Sequence, residues 1–514
     1  MKTKCYTTSP GREKKILGLN GLNHDSTATL LNGTEILFAG HSERYTGIKN
    51  DEQVAQGLLN DVYSYGDWDT VVWFEQPWLK KSRQLFAGQY DDFIDMKQLP
   101  SQYLKPRHIK PDYYISHHLS HAAASYFTSP YKEAVGVMID AIGEWDTCTI
   151  WHIITHEDGT TDFNKLHSVK YPHSLGLWYS AMTQRLGLKP QEDEYILMGM
   201  AGWGKLNRLL MQELYDDFFV KGLDLELKQN LHRGCLDWDS VVMPDDGSEQ
   251  WKFDIACNVQ AVCEMEIQKI FRMAESLVPD CKNFVYGGGV ALNCVANSLL
   301  AEQYPNLWII PNPGDGGSSL GAAAFVLGEH LDWNNTFLGY DIKGEYPIEP
   351  LVDELVKGNI VGVASGRAEF GPRALGNRSL LADPRGDDIK DKVNKIKHRQ
   401  EFRPFAPAVL EEHAHEIFEM PVQKSQYMQF VAKCKRPDLY PAITHIDGTS
   451  RVQTVSEEDN PNFYKLIKEF YKKTGCPMLL NTSLNIKGMP IVNNEEHAKA
   501  FEEKYGVKVF DGKN

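Results

Sequence analysis

The chain has 514 residues, too many for one ordinary hydrophobic core, so at least two domains are expected. Its 42% hydrophobic, 24% charged and 11% aromatic residues are a globular composition that excludes disorder as the main state. With 54 basic against 69 acidic residues the net charge is −15, which argues against a bulk-charge grip on nucleic acid while leaving room for a local basic cleft.

No apolar run reaches the ~18 residues of a membrane span. Met1 to Arg12 lack the apolar core of a secretory signal, so a cytoplasmic location is expected. Nine scattered cysteines with no CxxC pair read as reduced thiols rather than a disulfide scaffold or zinc ribbon.

In chain order, Ile16–Asn20 reads as a short strand, and Ala28–Leu31 turns back through Asn32-Gly33 into a further strand at Glu35–Gly40. The loop between the first two holds Asn23-His24-Asp25-Ser26, with Glu43-Arg44 and Lys49 downstream. His24 suits a general base because its ordinary pKa is near 6.5, although a loop histidine also serves structure. Buried strands are expected at 70–74, 134–140, 283–286 and 307–310. In open α/β sheets, ligands sit at such strand ends.

His117 and His121 open a run of helix formers at i, i+4, which places two imidazoles on one face. The pair alone also reads as a polar helix start. Asp140 ends a strand and Asp315 lies in Pro313-Gly314-Asp315-Gly316-Gly317; with the histidines they make a donor set suited to iron, manganese or zinc, although Asp140 could equally be a cap or turn residue. Gly287-Gly288-Gly289 with Asn293, and the Gly316 loop, sit at strand-to-helix turns, where amides can hold phosphate; either alone could be a tight turn, and neither is a named nucleotide motif.

The 212–249 segment reads as an insertion with some helix, and 335–350 as a linker before a second α/β unit of about 160 residues that starts at Asn359. No internal repeat is visible. Basic residues cluster at Gly366-Arg367, Arg373 to Arg378 and Lys397 to Arg403, which suggests an anion pocket, and Asn481-Thr482-Ser483 caps another strand. No GxSxG or catalytic-cysteine signature is present.

In this order, the segments from Ile16 to about Val492 resemble the O-carbamoyltransferases of the nodulation-protein-U and tobramycin/cephamycin type. They include Asn23–Ser26, His117–His121, Gly143-Glu144-Trp145-Asp146, Tyr195–Gly204, the two glycine loops, Glu369–Arg385, Arg403–Pro407, Asp447–Gln453 and Asn481–Pro490. The resemblance implies an α/β protein of two domains. Residues 1–345 would form an actin/sugar-kinase-like domain of two RNase H-like halves, akin to tRNA threonylcarbamoyl transferases, and 346–514 a YrdC-like domain. The second would make carbamoyl-adenylate and pyrophosphate from carbamoyl phosphate and Mg-ATP, and the first would pass the carbamoyl group to an acceptor hydroxyl, releasing AMP.

By the same resemblance, His117, His121, Asp140 and Asp315 hold a divalent metal, with iron as first choice. His24 and Lys49 serve transfer, and Arg373, Lys397, Arg403, Arg451, Asn481 and Ser483 form the carbamoyl phosphate and adenylate pocket. Leu484, Met489 and Gly202-Trp203-Gly204 depart from the usual Phe, Glu and Pro-Tyr-Gly, which bears on acceptor shape. Sugars, antibiotic alcohols, cephem hydroxymethyl groups and a hydroxymethylated nucleotide all fit the motifs, and a homodimer is left open. The rivals are a tRNA threonylcarbamoyl-transferring enzyme and a non-catalytic nucleotide sensor. The acidic balance and fused second domain weigh against the first rival, and the retained His and Arg sets against the second.

Overall fold

The computed structural model describes residues 4–11, 14–400, 402–403 and 405–512. Arg12 of the N-terminal stretch, and Glu401 and Pro404 of the basic segment, lie outside the described residues. After a short strand β1 (Lys4–Thr8), the chain forms an antiparallel meander of β2 (Lys15–Asn20), β3 (Thr27–Asn32) and β4 (Glu35–His41). β5 (Thr70–Trp73) then runs parallel to β2, and β6 (Tyr113–Tyr114) parallel to β5, giving the order β4-β3-β2-β5-β6.

The plan then recurs. β7 (Glu133–Ile139), β8 (Asp146–Thr155) and β9 (Thr161–Lys170) form a second meander, and β10 (Phe284–Gly287) and β11 (Leu307–Ile309) continue it in parallel beyond β7. β1 pairs antiparallel with the free edge of β9. This duplication corrects the expectation of no internal repeat: it is one of strand order and direction, which leaves no residue-level signal when strands and connections differ in length. The turn after β3 also sits one residue later than expected. Asn32 pairs with Glu35, so Gly33 and Thr34 make the turn, with Gly33 at φ +56°.

Two helices, His117–Phe127 and Ser318–Leu327, lie between the sheets with alanines at their contact. A Cβ on Gly321 would stand 1.8 Å from the Ser120 carbonyl oxygen, so the two backbones touch there. One core packs around these helices and the first sheet; a second surrounds the 29-residue helix Glu249–Leu277. The 212–249 segment holds the end of the helix Arg208–Phe218 and one short 3-10 turn, Leu231–Arg233.

The stretch read as a linker carries a strand, β12 (Phe337–Ile342), which pairs antiparallel with β14 (Gly366–Glu369), just past β13 (Val361–Ala364). Next come β15 (Arg378–Ala382), β16 (Ala406–Leu410), β17 (Phe418–Glu419), β18 (Val431–Cys434), β19 (Thr449–Arg451), β20 (Gln453–Val455), β21 (Met478–Ser483) and β22 (Val509–Phe510). They form a mixed sheet of order β20-β16-β21-β15-β13-β22 and a small sheet β17-β18-β19, around a third core drawn from Ile342 to Phe510. The class is mixed α/β. All nine cysteines are free thiols, and no helix among the described residues is long and apolar enough to cross a membrane.

Candidate active site and metal centre

Four side chains from three places in the sequence converge between the sheets. The His117–Phe127 helix brings His117 and His121 together, with their Nε2 atoms 3.0 Å apart. Asp140 follows β7; its Oδ1 accepts the Gly289 N–H at 3.0 Å, which leaves Oδ2 facing His117 Nε2 at 2.9 Å and His121 Nε2 at 3.6 Å. Asp315 opens the turn before the Ser318–Leu327 helix. Asn23 Nδ2 donates to its Oδ2 at 2.5 Å, and its Oδ1 faces the two histidines at 3.2 and 3.4 Å.

All four are buried, with ligand atoms within 4.8 Å of one another. Two imidazole nitrogens this close, facing two carboxylate oxygens, are a donor set of two N and two O that suits a divalent transition metal, so the residues fit the group the sequence implied. Burial works against charge on each of the four. The opposed charges outweigh it, holding the imidazoles above their ordinary range and the carboxylates below theirs.

Glu144 anchors the arrangement. Its Oε1 accepts the backbone N–H of His117 at the helix start (3.0 Å) and that of Gln76 (2.8 Å). His24 lies beside the cluster, with Nε2 3.9 Å from Asp315 Oδ2 and Nδ1 3.6 Å from Asp25. Burial alone would lower His24; the Asp25 hydrogen bond and the charges of Asp315, Asp25 and Asp140 push it up to about 10. Lys49 stands 5.6 Å from the ring centroid of Tyr195, and Arg403 stands 4.6 Å from the same centroid, so this ring joins the His24 side to the basic residues.

The glycine loops meet each other, with Gly288 N–H donating to the Pro313 carbonyl at 2.8 Å. Gly288 is held at φ +88°, and a Cβ there would lie 2.2 Å from the Ile139 carbonyl oxygen, so glycine is required. The amide of Gly289 is taken by Asp140, which makes that glycine a support of the His/Asp cluster rather than a free phosphate donor. Gly287 closes β10, and Gly316 packs against Asn312 and His41. Asn293 caps the helix Cys294–Gln303 and pairs side chain to side chain with Gln260.

Arg373, Arg403 and Arg451 gather near Cys294 at the start of that helix. Burial together with Arg451 and Arg403 pushes Arg373 down to about 9, and burial lowers Arg403 and Arg451 as well. A guanidinium keeps its proton in a protein, so this pressure marks concentrated positive charge, with Asp193 the acid acting on Arg403 among the described residues. Lys397 is lowered by burial and by Arg399 and Arg403, while its ammonium donates to Asn485 Oδ1 (2.7 Å) and Ser483 Oγ (3.1 Å). Asn481 is buried beneath the group, bonded to the Ala374 carbonyl and Gln453, with its own Oδ1 unpartnered among the described residues.

Two arginines read into the anion pocket belong elsewhere. Arg378 is fully buried and donates to the carbonyls of Ser365, Gly366, Asn377, Tyr340 and Asn493, and Arg367 donates to those of Leu37, Leu338 and Gly339. Both stitch backbone together. In the sequence Glu144 and Tyr195 stand inside motifs, and Asn23 in a loop, with no individual role attached. Their signal, a polar or aromatic residue beside a motif that carries chemistry, was present without a role.

A buried cluster of two imidazoles and two carboxylates thus lies near a concentration of guanidinium groups, a grouping suited to binding anions. Residues 15–324 match the family model for the carbamoyltransferase N-terminus, and residues 352–510 that for the carbamoyltransferase C-terminus. The chain belongs to the carbamoyltransferase family and is a transferase. An uncharacterized protein of Synechocystis is 32% identical over 94% of this chain and 93% of its own. Nodulation protein NolNO of Sinorhizobium fredii is 29% identical over 92% and 76%. The 3'-hydroxymethylcephem-O-carbamoyltransferase of Amycolatopsis lactamdurans is 32% identical over 49% and 52%.

Proposed function

We propose that the chain is an ATP-dependent O-carbamoyltransferase working in two half-reactions. Residues 346–514, as a YrdC-like domain, would form carbamoyl-adenylate. Carbamoyl phosphate and water give carbamate and inorganic phosphate; a carbamate oxygen then bonds to the α-phosphorus of Mg-ATP and the bond to pyrophosphate breaks. Arg373, Arg403 and Arg451 supply charge to these anionic oxygens, Lys397 is set by Ser483 and Asn485, and the free Oδ1 of Asn481 suits the carbamoyl amide.

Residues 1–345 would carry out transfer, and the repeated strand order supports an actin/sugar-kinase arrangement of two RNase H-like halves. The acceptor oxygen bonds to the carbamoyl carbon, the bond to AMP breaks, and the hydroxyl proton passes to His24. Matching the charge of Asp140 and Asp315 with a cation would remove part of the pull that holds the His24 proton, leaving that of Asp25. His117, His121, Asp140 and Asp315 would hold that divalent metal, iron first and manganese or zinc next, which supplies charge stabilisation at the leaving phosphate.

The observation that carries this reading is the ring of Tyr195 flanked by Lys49 and Arg403, which places the cationic group and the His24 side against one another. Incubating the chain with carbamoyl phosphate, Mg-ATP and a panel of alcohols tests it. The expected outcome is a carbamate ester by mass spectrometry with AMP and pyrophosphate in equal amounts; ADP as the nucleotide product would contradict it.

A further inference from the structure

The helix Pro77–Phe86 is built inside out. Its buried residues are Lys81, Arg83 and Gln84, whereas Trp78 (62%), Leu79 (48%), Leu85 (45%) and Phe86 (67%) stand exposed. A surface helix ordinarily turns its apolar stripe inward, and a contiguous exposed apolar face marks a contact surface. On the inner polar face Lys81 donates to the carbonyls of Asp92 and Asp95, and Arg83 Nη1 to Gln89, while Arg83 Nε and Gln84 Oε1 are buried without a partner among the described residues.

Its position says what the outer face serves. Lys80 Nζ donates to the Leu22 carbonyl (3.0 Å), in the loop that carries His24, and to Glu75 (2.9 Å). Gln76 N–H shares the Glu144 oxygen that fixes His117. Ser82 accepts from Trp145 Nε1 at 2.9 Å, and the rings of Trp145 and Phe86 are 5.3 Å apart. The helix therefore hangs between the His24 loop and the Asp140–Glu144 loop, at the edge of the transfer site.

We infer that Phe86 and Trp145, with the exposed face of this helix, bind the non-reacting body of the acceptor, and that the acceptors of this chain carry an apolar ring beside the hydroxyl. The inference rests on the transfer reaction proposed above. A flat aromatic surface beside a polar site stacks rings, and burying a phenyl group on it improves binding by about tenfold.

The test is calorimetric titration of the full chain with phenyl β-glucoside and methyl β-glucoside, which share ring hydroxyls and differ in the apolar group. Phenyl glucoside is expected to bind about tenfold more tightly. Phe86→Ala, which should keep the wild-type unfolding midpoint because the side chain is outside every core, and Trp145→Phe should each shrink that preference. Equal binding, no binding of either, or a preference that survives both variants overturns the inference. So does Phe86-dependent sedimentation with phosphatidylcholine vesicles, or Phe86-dependent dimerisation, either of which gives the face to another occupant. Formation of AMP by the unsubstituted chain reports separately on the functional reading.

Discussion

His41 and His118 are buried imidazoles, and burial pushes each down to about 3, helped at His41 by the charge of Arg44. The unfolded chain protonates both near 6.5, while the folded chain resists until about 3. Below 6.5 the unfolded state therefore binds more protons; the stability is complete above that pH and is lost as pH falls toward 3. Denaturant unfolding should show stability dropping by up to ~1.4 kcal/mol per pH unit for each histidine. His41→Gln, which keeps an amide toward Asn312, should flatten that slope by one proton; an unchanged slope would contradict the assignment. Among single residues, the convergence of His117, His121, Asp140 and Asp315 was legible from the helical spacing of the histidines, the strand end at Asp140 and the family resemblance that joined the four. Arg367 and Arg378 were misread because sequence shows that an arginine is present, and only the fold shows that backbone carbonyls surround it.

At the scale of elements, the candidate metal site depends on how closely two helices approach. Gly321→Ala would drive a Cβ into the Ser120 carbonyl and against Ala124, so the His117–Phe127 helix must move. A loss of about 1–3 kcal/mol in unfolding free energy is expected, with bound metal lost as His117 and His121 shift. Gly199→Ala, where a Cβ meets nothing within 4 Å inside the helix Glu194–Ala201, should change stability by less than about 1 kcal/mol and leave metal content intact. Metal analysis and denaturation of both variants check this. The meander β2–β4 was readable because its apolar runs are bounded by turn residues. The Glu249–Leu277 helix was not, because its buried side includes Asp254, Asn258, Gln260 and Glu266 among the apolar positions. β12 escaped because it lies between Asn- and Gly/Pro-rich punctuation and pairs with a strand more than twenty residues away.

At the scale of the molecule, the three main cores give a chain whose duplicated sheets hold the His/Asp cluster and whose last unit carries the cationic group on loops, one helix and β19, with Tyr195 between them. The proposed account makes these two centres separable in chemistry though adjacent in space. Carbamoyl-phosphate-dependent exchange of labelled pyrophosphate into ATP, without acceptor, isolates the first half-reaction. Measured on the unsubstituted chain, His117→Ala and Arg451→Ala, exchange should persist in the first two and fall at least a hundredfold in the third, a loss of the size expected when one charge-assisted contact to a reacting phosphate is removed. Exchange abolished equally by His117→Ala and Arg451→Ala would contradict the division of labour, and with it the central claim.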